Sequence, residues 1–421
     1  MSSTTVTDPK ASVLPLLEAS SWPHAAEALA QVNALPVPTT RTEAWKYTRV
    51  GRLFHTAFVP ADGAAQVELP RRLPFPATRI VFVNGHFRAD LSDDLTLQKG
   101  IVIDSLKGHL THGPVQRHYG QLTPLDQRLF SALNTAAPTD GLLVLVTKRT
   151  VVEKPIHVLR ITTAGAQLIQ PRDLFLVQEG GRVEVIEESI SSTEAASSSL
   201  VNAIRECHVA EGASLTVVRL QRDAAAHIAQ DSAQVAAKGH FSISTITLDG
   251  TLVRNDVNVA LAGAEAHAEL NGAYLLNGTT HCDNHTYIGH NVPDCTSDEL
   301  YKGIVAGRAT AVFNGKVYVK QDAQRTRAFQ SNANILQGDD AKVYTKPELE
   351  IYADDVKCSH GCTIGRLDEK GLFYLRSRGV SEAEARRMLA HAFTTDVLER
   401  IGNADWRAYL AQLIDTKLET L

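Results

Sequence analysis

Between about residue 141 and residue 365 the chain is a succession of short apolar or alternating runs, and this pattern limits the fold more than any other feature. Residues 142–146, 156–161, 174–177, 183–186, 215–220, 241–248 and 257–261 read as strands. Gly180-Gly181, Glu211-Gly212, Asp249-Gly250, Asn271-Gly272, Asn277-Gly278 and Asn314-Gly315 read as the turns between them. Long helical periodicity is absent. A sandwich of this length would be large, and a solenoid of stacked rungs, a β-helix, accommodates it as well or better. The repeat is degenerate, so periodicity alone does not choose between them.

The flanks have a different pattern, dividing the chain into an N-terminal helical or mixed domain (1–140), the β region (141–365) and a C-terminal helical domain (366–421). Ser21-Trp22-Pro23 starts a helix with Ala25, Leu29 and Val32 on one face. The aromatic residues of Arg41-Thr-Glu-Ala-Trp-Lys-Tyr-Thr48 are expected to anchor that segment to the body, the competing reading being a ligand-binding role. Asn84-Gly85 is a type I′ turn signal after the strand Ile80-Val81-Phe82-Val83. Thr123-Pro124 opens a short helix, with Thr123 as N-cap and Leu125, Leu129 and Leu133 as its buried stripe. Ser381-Glu382-Ala383-Glu384 is a capping box. The last helix carries Trp406, Leu410, Leu413, Ile414 and Leu418 on one side. A solenoid needs its open end covered, so capping is the expected role of these helices. The competing role is docking a partner through Trp406 and Phe393.

A net charge of −5 and no Lys/Arg run of five or more speak against nucleic acid as a ligand. No apolar run reaches the ~18 residues of a membrane span. The start of the chain has neither a basic nor an apolar leader segment, so the protein reads as cytoplasmic. Its five cysteines then read as thiols. No P-loop, nucleophile elbow or His-Glu-x-x-His helix occurs, which argues against an independent enzyme.

The densest chemistry lies at Cys358-Ser359-His360-Gly361-Cys362. Glu348-Leu349-Glu350-Ile351-Tyr352 before it alternates as a half-buried strand does. If the strand continues, Cys358, His360 and Cys362 share one face. Two soft donors and one borderline donor suit a soft metal or an iron–sulfur cluster. At a rise of roughly 3.3 Å per residue, Cys358 and Cys362 stand about 13 Å apart. Both cannot then bind one zinc unless Gly361 bends the chain. Otherwise Cys358 and His360 are the useful pair, and further ligands come from elsewhere, such as another chain. The plainer reading is two packed cysteines and a strand histidine.

In a second patch, His281, Asp283 and His285 share a strand face. They are either a two-His-one-carboxylate metal set or polar residues at a strand edge or dimer interface. Cys207 and His208 point to opposite faces, and Cys295 is loop-like with no adjacent positive charge to activate it.

The order of these parts resembles the SufB/SufD family of iron–sulfur cluster assembly proteins, and its SufD branch more than its SufB branch. The resembling motifs are Arg41-Thr-Glu-Ala-Trp-Lys-Tyr-Thr48, Val81-Phe-Val-Asn-Gly85, Phe130-Ser-Ala-Leu-Asn-Thr135, Glu153-Lys-Pro-Ile-His157, Phe313-Asn-Gly-Lys-Val-Tyr-Val319 and Gln330-Ser-Asn-Ala-Asn-Ile-Leu336. The most specific are Lys346-Pro-Glu-Leu-Glu-Ile-Tyr-Ala-Asp-Asp-Val-Lys-Cys-Ser-His-Gly361 and Phe373-Tyr-Leu-Arg-Ser-Arg-Gly379.

The resemblance implies a right-handed parallel β-helix between helical terminal domains. It implies pairing with a SufB-like paralogue through the β-helices, and docking of a SufC-like ABC ATPase through the C-terminal region. It further implies a transient [4Fe–4S]-type cluster shared with the partner, and a reduced flavin that associates with the full complex. The family's Cys-Ser-His motif falls on Cys358 and His360, with His360 the stronger ligand candidate. Cys362 departs from the family pattern, which has a small residue there, and is either a packed thiol or an extra ligand. Two rival readings are a purely structural dimerisation partner, including a homodimer, and a β-helix enzyme acting on polysaccharide.

Overall fold

The computed structural model describes residues 8–17, 20–94, 99–126 and 128–421. The first seven residues, on which the expectation about a leader segment rests, and Gln127 of the expected helix lie outside them. Alternation along the chain builds two sheets. One contains the strands Leu142–Val146, Arg172–Val177, Leu200–Val209, Ala226–Val235, Leu252–Leu261, His281–His290, Thr310–Val319 and Lys342–Ile351. The other contains Ile156–Thr162, Arg182–Ser191, Ser214–Arg222, His240–Thr247, His267–Leu276, Thr296–Ala306, Thr326–Gln337 and Val356–Gly365. All pairings within these two sets are parallel, and each joins a strand to the one a full turn later. The result is a parallel β-solenoid of about 8 turns with helices at both chain ends.

The strand period of two divides each rung into lumen-facing and outward residues. Val185, Val217, Ile243 and Leu270 stack as an apolar column between the sheets. Two residues further along the same faces, the lumen turns polar. Arg160, Arg205 and Arg219 interlock there with Asp173, Glu187 and Asp231, all of them buried.

Asn271-Gly272 and Asn314-Gly315 are not turns; both sit inside strands. Gly272 is in register with Tyr301, and Gly303 with Tyr274. A Cβ on Gly272 would lie 2.3 Å from the Tyr301 ring, and one on Gly303 would lie 2.0 Å from the Tyr274 ring. These glycines make room for aromatic rings on the neighbouring rung. At Asn84-Gly85 the turn forms as expected, with φ of 48° and 79°.

Before residue 141, Thr78–Val83 pairs with Ile156–Thr162 and Ile101–Ser105 pairs with Leu142–Val146, so the N-terminal segment extends both sheets. The helix expected from Thr123 starts instead at Leu129 and runs Leu129–Ala136. All eight of its residues are buried, and its polar side chains bond to the solenoid. Asn134 donates to the carbonyls of Pro171 and Asn202 at 2.9 and 2.7 Å, and Ser131 donates to Gln230 at 2.6 Å. Tertiary contacts fix this helix, not a local cap.

The C-terminal helices are Glu369–Ser377, Glu382–Glu399 and Ala404–Leu418. Ser381 caps the second by accepting from the Glu384 amide at 3.2 Å, but Glu384 turns to Arg387 instead of closing the box. Trp406, Leu410, Ile414, Val397 and Ile401 pack on Ile186, Val218, Ile246, Leu275 and Ile304. The last two helices therefore cover a sheet face and do not cap the end of the solenoid. Trp406 is fully buried there and is no docking anchor. No helix among the described residues is long and apolar enough to cross a membrane.

Candidate functional site

Val356–Gly365 is the terminal strand of its sheet and is paired on one side only, as is Lys342–Ile351 in the other sheet. The solenoid thus ends in two open edges. Val356–Gly365 runs in unbroken register with its neighbour, from Thr326↔Val356 to Ile335↔Gly365. Gly361 does not bend it, so Cys358 and Cys362 keep the separation of an extended strand.

Cys358 is opposite Ala328, His360 opposite Gln330 and Cys362 opposite Asn332. Ala328, Gln330 and Asn332 are buried, whereas Phe329 and Ser331 between them are exposed. The three donors therefore share the lumen-side stack at the mouth of the solenoid. Cys358 is half-buried against Val317, Val319, Ala323 and Ala328. Burial pushes its thiol pKa up, opposed by a hydrogen bond with the Ala328 backbone. His360 and Cys362 are exposed. Only neighbours on this face, Cys358 with His360 or His360 with Cys362, about 7 Å apart along the strand, can converge on one metal centre, and of the two thiols Cys358 is the one that the protein packs around.

Behind His360 the column continues inward through Gln330 to Glu299, which are in register. Gln330 donates to Glu299 at 2.6 Å. Burial pushes the Glu299 carboxyl up to about 7, against the hydrogen bonds it accepts. Gln330 Oε1 and Glu299 Oε1 are buried without a protein partner. Asn332, behind Cys362, donates to Tyr274 Oη at 3.0 Å, and Tyr274 donates to Asn334 at 2.6 Å. Sequence reasoning missed Glu299, because residues about 30 apart become neighbours only through rung register. Gln330 lies within a recognised motif, and that was the one available signal.

His281, Asp283 and His285 do share a face, but protein groups engage all three. Asp283 accepts from Thr48 at 2.5 Å and from Arg254 at 2.7 Å, and it pairs with His285 at 2.9 Å. His281 bonds Thr48 at 2.8 Å. Burial opposes ionisation of Asp283, yet Arg254 and His285 hold its pKa far below the carboxylate range. The Arg254 guanidinium lies 3.9 Å from the Trp45 ring centroid. The face is thus the landing site of the 41–48 segment, which supplies Trp45 and Thr48. Cys207, Cys282 and Cys295 are buried, and burial raises all three thiol pKa values.

Around the open end, Tyr344, Ile351, Tyr352 and Ile364 are exposed. On the helix Glu369–Ser377, Phe373 is 75% and Tyr374 57% exposed, an unusual concentration of aromatic surface.

Comparison with known proteins gives a consistent result. Residues 159–393 match the family described as SUF system FeS cluster assembly, SufBD core domain, and residues 23–158 match the SufBD protein N-terminal region. An iron-sulfur cluster assembly SufBD family protein of Synechocystis is 32% identical, over 92% of this chain and 88% of that protein. The iron-sulfur cluster assembly protein SufD of Escherichia coli is 30% identical, over 90% of this chain and 89% of that one. A chloroplast protein of Arabidopsis thaliana, ABCI7, is 30% identical over 76% of this chain and 74% of its own length.

Proposed function

The chain belongs to the SufBD family of SUF-system iron–sulfur cluster assembly proteins, and from that premise we propose that it is a SufD-like scaffold subunit, pairing with a SufB-like paralogue and docking a SufC-like ABC ATPase. One observation carries this reading: the solenoid ends in unpaired strands whose lumen-side stack presents Cys358 and His360. An exposed, straight edge strand offers a row of free N–H and C=O groups to another chain. A paralogous β-helix docked there would satisfy that row and cover Tyr344, Ile351, Tyr352 and Ile364.

The cluster is cargo in this reading. A [4Fe–4S] cluster takes four protein ligands, usually thiolates. Cys358 and His360 offer two on one strand, so the partner completes the set and the product stays transferable. Cys358 must lose its proton when it binds iron, because the thiolate is the ligand. His360 binds through a neutral ring nitrogen. Cys362 faces the same mouth and is the reserve thiol. The chain itself is not an enzyme here, since ATP is hydrolysed in the ATPase subunit. Phe373 and Tyr374 are the natural anchors for that subunit. In this reading the protein works in the cytoplasm, whose reducing conditions keep the mouth thiols free, and a reduced flavin would join at the level of the whole complex.

Co-expression with the neighbouring paralogue and ATPase, followed by purification through a tag on this chain, tests the reading. Recovery of both partners supports it. A chain that purifies only as a homodimer in their presence contradicts it.

A further inference from the structure

On the outer face of the second sheet, His240 and His267 are opposite each other in register, and Glu269 follows two residues after His267. His267 and Glu269 lie three strands from Val356–Gly365 and His240 four, and the site is independent of the cluster-assembly reading. One donor atom from each residue falls within 4.8 Å of the other two. The imidazole rings stack with centroids 5.0 Å apart and planes 11° from parallel. Both Nε2 atoms turn toward the same carboxylate, at 3.1 Å for His267 and 3.8 Å for His240.

Hydroxyls hold the opposite side of each ring. His267 Nδ1 lies 2.6 Å from Thr296 Oγ1, and His240 Nδ1 lies 3.4 Å from Ser214 Oγ. If each Nδ1–H donates to its hydroxyl oxygen, each Nε2 lone pair is free and aimed inward. Such outer partners orient metal-ligating imidazoles. Two donors two residues apart on one strand, with a third on the next strand, also give the wrap that a single strand lacks. Arg400 is the nearby cation, and Asp298 pairs with it at 2.7 Å.

We propose that His240, His267 and Glu269 bind one divalent late-transition-metal ion through two Nε2 atoms and a carboxylate, leaving a coordination position to water. Two imidazoles and a carboxylate suit ions of the Fe(II)-to-Zn(II) series, not Mg²⁺ or Ca²⁺. The one-third exposure of each side chain gives the ion a path from solvent.

The test titrates Co²⁺, then Zn²⁺, into the full chain carrying Cys358→Ala, His360→Ala and Cys362→Ala, which removes the competing mouth donors. One Co²⁺ per chain is expected, with visible d–d bands that Zn²⁺ displaces. His240→Ala and His267→Ala should each weaken Co²⁺ binding at least tenfold. Thr296→Val should weaken it by about tenfold to a hundredfold while keeping the band positions, as a positioning residue would. Circular dichroism confirms that each variant is folded. Absence of d–d bands overturns the proposal, as does Co²⁺ affinity that is unchanged in both the His267→Ala and the Thr296→Val chains.

Discussion

Cys358 stands opposite Ala328 across the last strand pair, and the two pack together on Val317 and Val319. Cys358 is therefore the final residue of a lumen column, with protein behind it and an open edge in front. Cys362, four residues on, is exposed.

That difference fixes an order of thiol reactivity. Maleimide should label Cys362 first, Cys358 more slowly, and Cys207, Cys282 and Cys295 only after unfolding. Mass spectrometry of timed, quenched samples checks this. Adding the SufB-like partner should protect both mouth thiols.

The contact between Arg254 and Trp45 ties the N-terminal segment to the solenoid. Trp45→Ala removes a desolvated cation–π contact and an aromatic neighbour of Phe130. A loss of about 2 kcal/mol or more is expected in urea unfolding. Limited proteolysis should also cut near residues 41–48 sooner than in the wild type.

Glu187 is the hub of the buried charge network. Burial alone would raise its pKa, but Arg205, Arg160 and Arg219 outweigh burial and hold it well below the usual value. A carboxylate with a depressed pKa stabilises the fold above its unfolded pKa of about 4.3 and loses that contribution as pH falls toward the folded value. Glu187→Gln leaves three buried guanidinium groups with only Asp173 and Asp231 to neutralise them, and should cost about 3–5 kcal/mol at pH 7. The deficit should shrink on acidification, as read by denaturant midpoints between pH 7 and 3.

Glu299 has the opposite sign. Its folded pKa is raised, so its contribution is fully present below the unfolded value and is lost as pH rises toward about 7. Glu299→Gln should match the wild type near pH 4 and exceed it at pH 8, by up to about 3 kcal/mol. Paired unfolding curves at the two pH values decide this. Equal stability at both would place the titration elsewhere.

Much of this architecture was legible in the sequence. The alternating runs locate the rungs, and the period of two puts Cys358, His360 and Cys362 on one face, as observed. What the sequence concealed depends on register between rungs. Asn271-Gly272 reads as a turn until Tyr301 is seen over Gly272. Glu299 has no local signature, and neither does the pairing of His240 with His267. The C-terminal helices were expected at the open end because their apolar stripes do not say which surface they cover. His281, Asp283 and His285 were correctly grouped, but their partners Thr48 and Arg254 lie on other segments of the chain.

The central claim is that Cys358 and His360 act at an interface mouth to build a cluster. Its most direct measurement is anaerobic reconstitution with iron and sulfide, in complex with the paralogue and ATPase, for the wild type and for Cys358→Ala/His360→Ala. Loss of the cluster's visible absorbance in the double variant, with complex assembly and thermal unfolding unchanged, is the expected result. A double variant that assembles the complex and gives wild-type cluster yield contradicts the claim.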